Sequence, residues 1–127
     1  MLHFGWIQSR TQCALSPTFR AIEAVDDEGN IRGMVGFDGW TQNAAQMHVA
    51  IESPGALRAL LKPSFSYLFG EAGRSIALGL VPSHNETALR FDKHIGFRET
   101  YRVKDGWAPG DDMVLLEMRR DECRWLR

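Results

Sequence analysis

The sequence predicts an α+β domain on a mixed six-stranded sheet with a single β-α-β crossover. Three observations predict it. Between Phe19 and Glu52, three segments that alternate or run apolar are bounded by turn residues, and their short connections imply an antiparallel meander. A helical-period stretch, with Leu61, Phe65, Leu68, Phe69 and Ala72 on one face, then leads into the almost wholly apolar run Ile76–Val81. Strand, helix, strand makes a crossover, so 45–52 and 76–81 should be parallel neighbours. The chain of 127 residues is long enough for one core, so residues 1–127 read as one domain.

The elements follow in order. Residues 1–17 sustain no period, although Trp6, Ile7 and Leu15 are apolar enough to be buried, and Pro17 suits a strand entry. Phe19–Val25 alternates, and Asp26-Asp27-Glu28-Gly29-Asn30 is a turn. Ile31–Phe37 and Ala45–Glu52 are the next strands, joined through Asp38-Gly39. Ser53-Pro54-Gly55-Ala56 is a turn-prone corner. Pro63 is tolerated only in a first helical turn, which places the regular helix from 59–62 to 70–73. The run at 76–81 reads as a strand buried on both faces, ended by Pro82. Ser83 and Glu86 have capping-box spacing, with Asn85 as a competing cap. Ala88, Phe91 and Ile95 share a helix face, and Gly96 is a C-terminal stop. Phe97–Lys104 and Met113–Met118 form a last pair of strands across the turn-rich loop 105–110. Trp125 and Leu126 in the charged tail should pack back on the domain.

Bulk properties exclude several classes. Fifteen basic and sixteen acidic residues leave a formal charge of −1, without the basic footprint of a nucleic-acid binder. Cys13 and Cys123 are too few and too distant for a disulfide framework or a zinc site, and the four histidines add no metal spacing. Two idle thiols are expected, with a bridge between them as the alternative. The N-terminus lacks a signal-peptide pattern, and no apolar run reaches membrane-spanning length. A soluble cytoplasmic protein is the resulting expectation, with no metal and no membrane or nucleic-acid partner.

One ordered set of residues goes further. After the buried strand come Asn85, a small residue three on (Ala88), and the pair Gly96-Phe97 eleven and twelve on. This set, with the strand order, resembles the Gcn5-related N-acetyltransferase (GNAT) family over roughly residues 19–118. Details within 65–69, 98–99 and 117–119 resemble its subgroup that acetylates N-terminal amines of ribosomal proteins. The family carries one or two helices ahead of its second strand. This chain has little room for them, so those helices should be reduced, with the acceptor side reduced or built by a partner subunit.

The resemblance implies acetyl-CoA as co-substrate, held where the two parallel strands splay apart. The corner Gly55, Ala56, Leu57 and Arg58 would meet the pyrophosphate at a helix N-terminus. The family's glycine pattern is thinned here to a single glycine. Asn85 would meet the pantetheine arm, with Arg90 and Phe91 flanking the thiol end. A backbone N–H from Val49, Ala50 or Ile51 would stabilise the oxyanion. Transfer also requires a neutral amine, which costs a lysine-like acceptor (pKa ~10.4) roughly 4.6 kcal/mol at pH 7 and an N-terminal amine (~8) about 1.4 kcal/mol. Glu52 is the first choice of base and His48, on the same strand face, the second. The family's tyrosine acid falls on Asp92 here, and an aspartate donates a proton at neutral pH only if its pKa is strongly raised. The reaction implied is acetyl transfer to a primary amine, on a small molecule or a protein N-terminus. The alternative is a catalytically inactive GNAT-like CoA-binding or interaction module. Exposed sheet edges make a homodimer a reasonable state.

Overall fold

The computed structural model describes residues 3–11 and 16–127; Cys13 and Leu15 lie outside the described residues. An N-terminal helix α1 (Phe4–Thr11) precedes strands β1 (Arg20–Val25), β2 (Ile31–Asp38) and β3 (Ala44–Ile51). Helix α2 (Pro54–Ser66) crosses to β4 (Ile76–Pro82), and α3 (Glu86–Ile95) leads into β5 (Arg98–Ala108) and β6 (Asp111–Arg119). The six strands lie in the order β1-β2-β3-β4-β6-β5, antiparallel except for the β3–β4 pair. This is the expected mixed sheet with its β3-α2-β4 crossover, and α3 makes a second, because β4 and β5 both run antiparallel to β6. The last strand β6 inserts beside β4, which leaves β5 on the edge.

Four local expectations are corrected. Helix α1 falls in the stretch that sustains no period; its one fully buried side chain is Ile7, which packs with Phe19, Met34 and Ala50. Helix α2 starts at Pro54 rather than at 59–62. Ser53 caps it by accepting the Ala56 N–H at 3.1 Å, and Pro54 takes a first-turn position where its missing N–H is not needed. Pro63 therefore lies inside the helix. It sits on the solvent side with Ala59, whose freed carbonyl can be hydrated, and the chain then widens into a π turn over Tyr67–Glu71. The expected capping box also dissolves. Asn85 alone caps α3, accepting the Ala88 N–H at 3.1 Å, while Ser83 Oγ donates to Asp111. Finally, most of the predicted loop 105–110 belongs to the β5–β6 hairpin, and only 109–110 remain outside the strands.

Two layers cover the sheet. Helices α2 and α3 share one face, over Val35, Phe37, Ala45, Met47, Ala77, Val114 and Leu116, with Trp125 and Leu126 packed back against this core as expected. Helix α1 lies on the other face, against β2 and β3. That arrangement changes β4. Ala77, Gly79 and Val81 are buried, but Leu80, on the side α1 does not reach, is 37% exposed. The run is apolar without being buried on both faces. No helix among the described residues is long and apolar enough to cross a membrane.

Candidate active site

The site begins as an interruption of pairing. β3 and β4 are matched only at Ala44↔Ile76, Ala45↔Ala77 and Gln46↔Leu78; beyond these the two strands diverge. β3 meanwhile stays in register with β2, without a shift, out to Gly33↔Ile51. The Glu52 N–H donates to the Arg32 carbonyl at 2.8 Å, and the Ile76 N–H donates to the Asn43 carbonyl at 3.1 Å. Backbone groups alternate sides along a strand, so even-numbered residues of β3 bond to β2 and odd-numbered ones face β4. The N–H groups of Val49 and Ile51 consequently face the gap. The N–H of Ala50 faces β2, which separates it from the other two candidate donors.

The gap opens into a cleft of about 500 Å³. Met47, His48, Val49 and Ile51 line it from β3, and Gly79, Leu80, Val81 and Pro82 from β4. Helix α3 contributes Asn85, Ala88, Phe91 and Asp92, and the hairpin contributes Trp107. Asn85 is placed by the corner that ends β4. Asp111 accepts hydrogen bonds there from Ser83 Oγ, the His84 N–H and His84 Nδ1, tying the start of α3 to β6. Because the Asn85 Oδ1 accepts the Ala88 N–H, its amide NH2 is left to donate toward the cleft. The cap and a ligand contact are therefore compatible.

Asp92 lies two turns further along α3, over Gly79, just beyond the last matched β3–β4 residues. A Cβ on Gly79 would lie 3.5 Å from Asp92 Oδ2. No hydrogen bond or ion pair to its carboxylate is present among the described residues, and burial pushes its pKa from 3.8 up to about 6. The obstacle to this residue as a proton donor is thereby reduced. At pH 7 roughly a tenth of such groups carry a proton.

The opposite face holds the two candidate bases. His48 Nε2 is 2.8 Å from Asp38 Oδ1, and these side chains are only 14% and 15% exposed. Glu52 Oε2 accepts Nε and Nη2 of Arg10 at 3.0 and 2.8 Å, in a more exposed pair. Arg10 lines the cleft and Glu52 does not.

The corner at α2 stands apart. Gly55, Ala56, Leu57 and Arg58 do not line the cleft, and neither does Arg90. The Ala56 N–H is committed to Ser53 Oγ and the Leu57 N–H to the Ser53 carbonyl at 3.2 Å, whereas the Gly55 N–H has no partner among the described residues. Arg58 folds back over the same turn, its Nη2 4.0 Å from where a Gly55 Cβ would be. Trp40 does not line the cleft; its ring packs near Phe37 and Tyr67, and its Nε1 donates to the Thr18 carbonyl. Cys123 is buried and unbridged, with burial pushing its thiol pKa up. Among the described residues, no group of three or more His, Cys, Asp or Glu is placed to hold a metal ion. Sequence reasoning missed Asp38, Arg10 and Asp111 as parts of this region, whereas His84, a candidate acid, and Trp107, a candidate for the mouth, do line the cleft. Asp38 reads as a turn residue in the sequence, and only the extension of β2 to Asp38 brings it beside His48.

No protein-family model matches the chain, and no curated protein matches it. Solved structures do. The spermidine/spermine N-acetyltransferase SpeG from Vibrio cholerae, in complex with manganese ions, is 15% identical at a TM-score of 0.70, over 90% of this chain and 71% of that one. A chimera of SpeG with hSSAT is 16% identical at a TM-score of 0.73, over 88% and 72%. A dodecameric structure of the Vibrio cholerae enzyme is 16% identical at 0.69, over 84% and 67%. At these identities the likeness carries the fold, and the chain has the GNAT fold of these neighbours.

Proposed function

We propose that the chain transfers an acetyl group from acetyl-CoA to a primary amine. The observation that carries this reading is the wedge between β3 and β4: a cleft with backbone donors on one wall and the Asn85 amide on the other. The fit to a pantetheine arm rests on the chain's own groups. Val49 and Ile51 turn N–H groups into a gap that no strand fills, the Asn85 NH2 donates from the opposite side, and Gly79 keeps the floor low. The fit at the pyrophosphate is leaner. The Gly55 N–H and the Arg58 guanidinium serve it at the positive end of α2, and the Ser53 cap competes with it for the Ala56 N–H.

Bound acetyl-CoA supplies a thioester whose carbonyl carbon is the electrophile. Val49 or Ile51 N–H stabilises the oxyanion that develops there, with no reorganisation at the moment of reaction. Asp92, at the vertex of the wedge, returns a proton to the sulfur. Phe91 and Leu80 exclude water beside it. The acceptor enters from the α1 face, past Trp107, where the candidate bases lie.

The neighbours act on spermidine and spermine, and a polyamine is one acceptor class for this chain; a protein N-terminus is the other. Self-assembly into a dimer or larger oligomer belongs to the same proposal, as does work in the cytoplasm, where acetyl-CoA is available. Calorimetric titration with acetyl-CoA, followed by thiol release with spermidine, a lysine peptide and a peptide with a free N-terminus, tests the reading. Binding with turnover on at least one amine is expected. Binding without turnover on any of them supports the inactive module instead, and absence of binding removes both.

A further inference from the structure

We infer that His48, held by Asp38, is the group that takes the proton from the acceptor amine. This rests on the acetyl-transfer proposal above and specifies its base. The two residues are brought together by the β2–β3 register, in which His48 faces Gly36 and Asp38 lies two positions further along the same face. A carboxylate only accepts hydrogen bonds, so the Nε2 lying 2.8 Å from Asp38 Oδ1 carries the proton. Nδ1 is then the lone-pair nitrogen, with no hydrogen-bond partner among the described residues, on a side chain that lines the cleft.

The surroundings fix the ring as well as its tautomer. Gly36 has no side chain, and the space beneath it is filled by Phe19, whose Cζ would lie 2.3 Å from a Cβ there. Phe19 in turn stacks on the His48 ring at a centroid distance of 6.2 Å. The other charged groups toward this part of the cleft are Arg10 on α1, Glu52 at the end of β3 and Asp92 across the wedge. Arg10 and Glu52 neutralise each other, and Glu52 must leave two guanidinium bonds before it can accept a proton. Asp92 belongs to the far wall. His84 also lines the cleft, but it sits at the β4–α3 corner, 69% exposed and tied to Asp111, whereas His48 is the enclosed imidazole on the acceptor side with an available lone pair.

The step balances as follows. Nδ1 takes one proton from the ammonium of the acceptor, and Asp38 stabilises the resulting imidazolium. The freed lone pair forms the C–N bond at the thioester carbon. The C–S bond then breaks with its electron pair going to sulfur, which gains a proton from Asp92. The nitrogen loses its second proton as the amide forms, matching the one gained at sulfur. One net proton leaves through His48. Asp38 is a positioning residue, acting through His48.

Steady-state kinetics on His48→Gln, Asp38→Asn and the double variant test the assignment, with Glu52→Gln for contrast. His48→Gln is expected to lower kcat about 100-fold, the usual scale of a lost general base. Asp38→Asn should lower it at least about 10-fold, with KM for acetyl-CoA and its calorimetric affinity unchanged within about twofold. Unchanged affinity also shows that the variants fold. In the double variant kcat should fall no further than in His48→Gln, because Asp38 acts only through that ring. Multiplicative losses, or a smaller loss in His48→Gln than in Glu52→Gln, overturn the assignment while leaving acetyl transfer intact. A wild-type chain that turns over no amine overturns the acetyl-transfer reading and this assignment together.

Discussion

On the β3 side of the molecule the ionisable side chains have partners: His48, in the cleft, has Asp38 at 2.8 Å, and Glu52, just outside it, has Arg10. On the α3 wall Asp92 has none among the described residues, and burial alone moves its pKa to about 6. The difference follows from the sheet. β3 is flanked by β2 and α1, whose polar side chains reach its even-numbered positions. Asp92 instead packs over Gly79 and Leu116 at the vertex of the wedge, where the neighbouring side chains are apolar. A paired imidazole is built to take a proton at fixed geometry, whereas a lone desolvated carboxyl is built to hold one. Two titratable groups in such contrasting surroundings suit opposite roles across one cleft.

The largest effect that would break this contrast comes from Gly36→Ala. A Cβ there meets Phe19 at 2.3 Å and Ile7 at 3.2 Å, so the ring that supports His48 must move. Urea unfolding should show a loss of about 3 kcal/mol, in the range of an overpacked core, with kcat reduced in the folded fraction.

Asp92→Asn comes next and sharpens the other wall. The folded-state pKa of Asp92, about 6, exceeds the unfolded value of 3.8, so the native state binds the extra proton between those limits. Its contribution is fully present below pH 4 and is lost as pH rises through 6. The variant should therefore match the wild type near pH 4 and exceed its stability by about 3 kcal/mol at pH 8. Thermal or urea unfolding across that range measures it. Equal stability at both ends would mean that Asp92 is not desolvated.

Asn85→Ala should cost about 1 kcal/mol, the worth of one N-cap, and should also weaken acetyl-CoA binding by calorimetry. Loss of the cap energy with unchanged affinity would reduce Asn85 to a helix stop. The smallest effect is expected for Glu52→Gln. Its pair with Arg10 has both side chains more than a third exposed, and such pairs contribute under about 1 kcal/mol, reduced further by salt.

Much of the second half of the chain was legible because its signals are local. The Asn85 cap, the Gly96 stop at φ 121° and the apolar β4 run are each decided by neighbouring residues. The start of α2 differs from its expected place for an equally local reason: Pro63 mimics a first-turn signal, although Ser53-Pro54 already holds that role. The apolar β4 run is the strand its composition predicts, but it is not buried on both faces. An apolar strand that lines a cleft has the same composition as one that is covered. The acceptor wall was least legible. Arg10 and Glu52 are 42 residues apart, and Asp111 reaches His84 across 27, so only the tertiary register brings them together. Alternation did place His48 and Glu52 on one face, but it could not show that one is held by Asp38 inside the cleft and the other by Arg10 outside it.

The most direct test of the central claim is a matched product measurement. Acetyl-CoA and the amine panel are incubated with the wild-type chain, and released thiol and acetylated amine are quantified together, the latter by mass spectrometry. The account predicts equal amounts of the two products with at least one amine. Thiol without acetylated amine, or neither product with any amine despite acetyl-CoA binding, would contradict it.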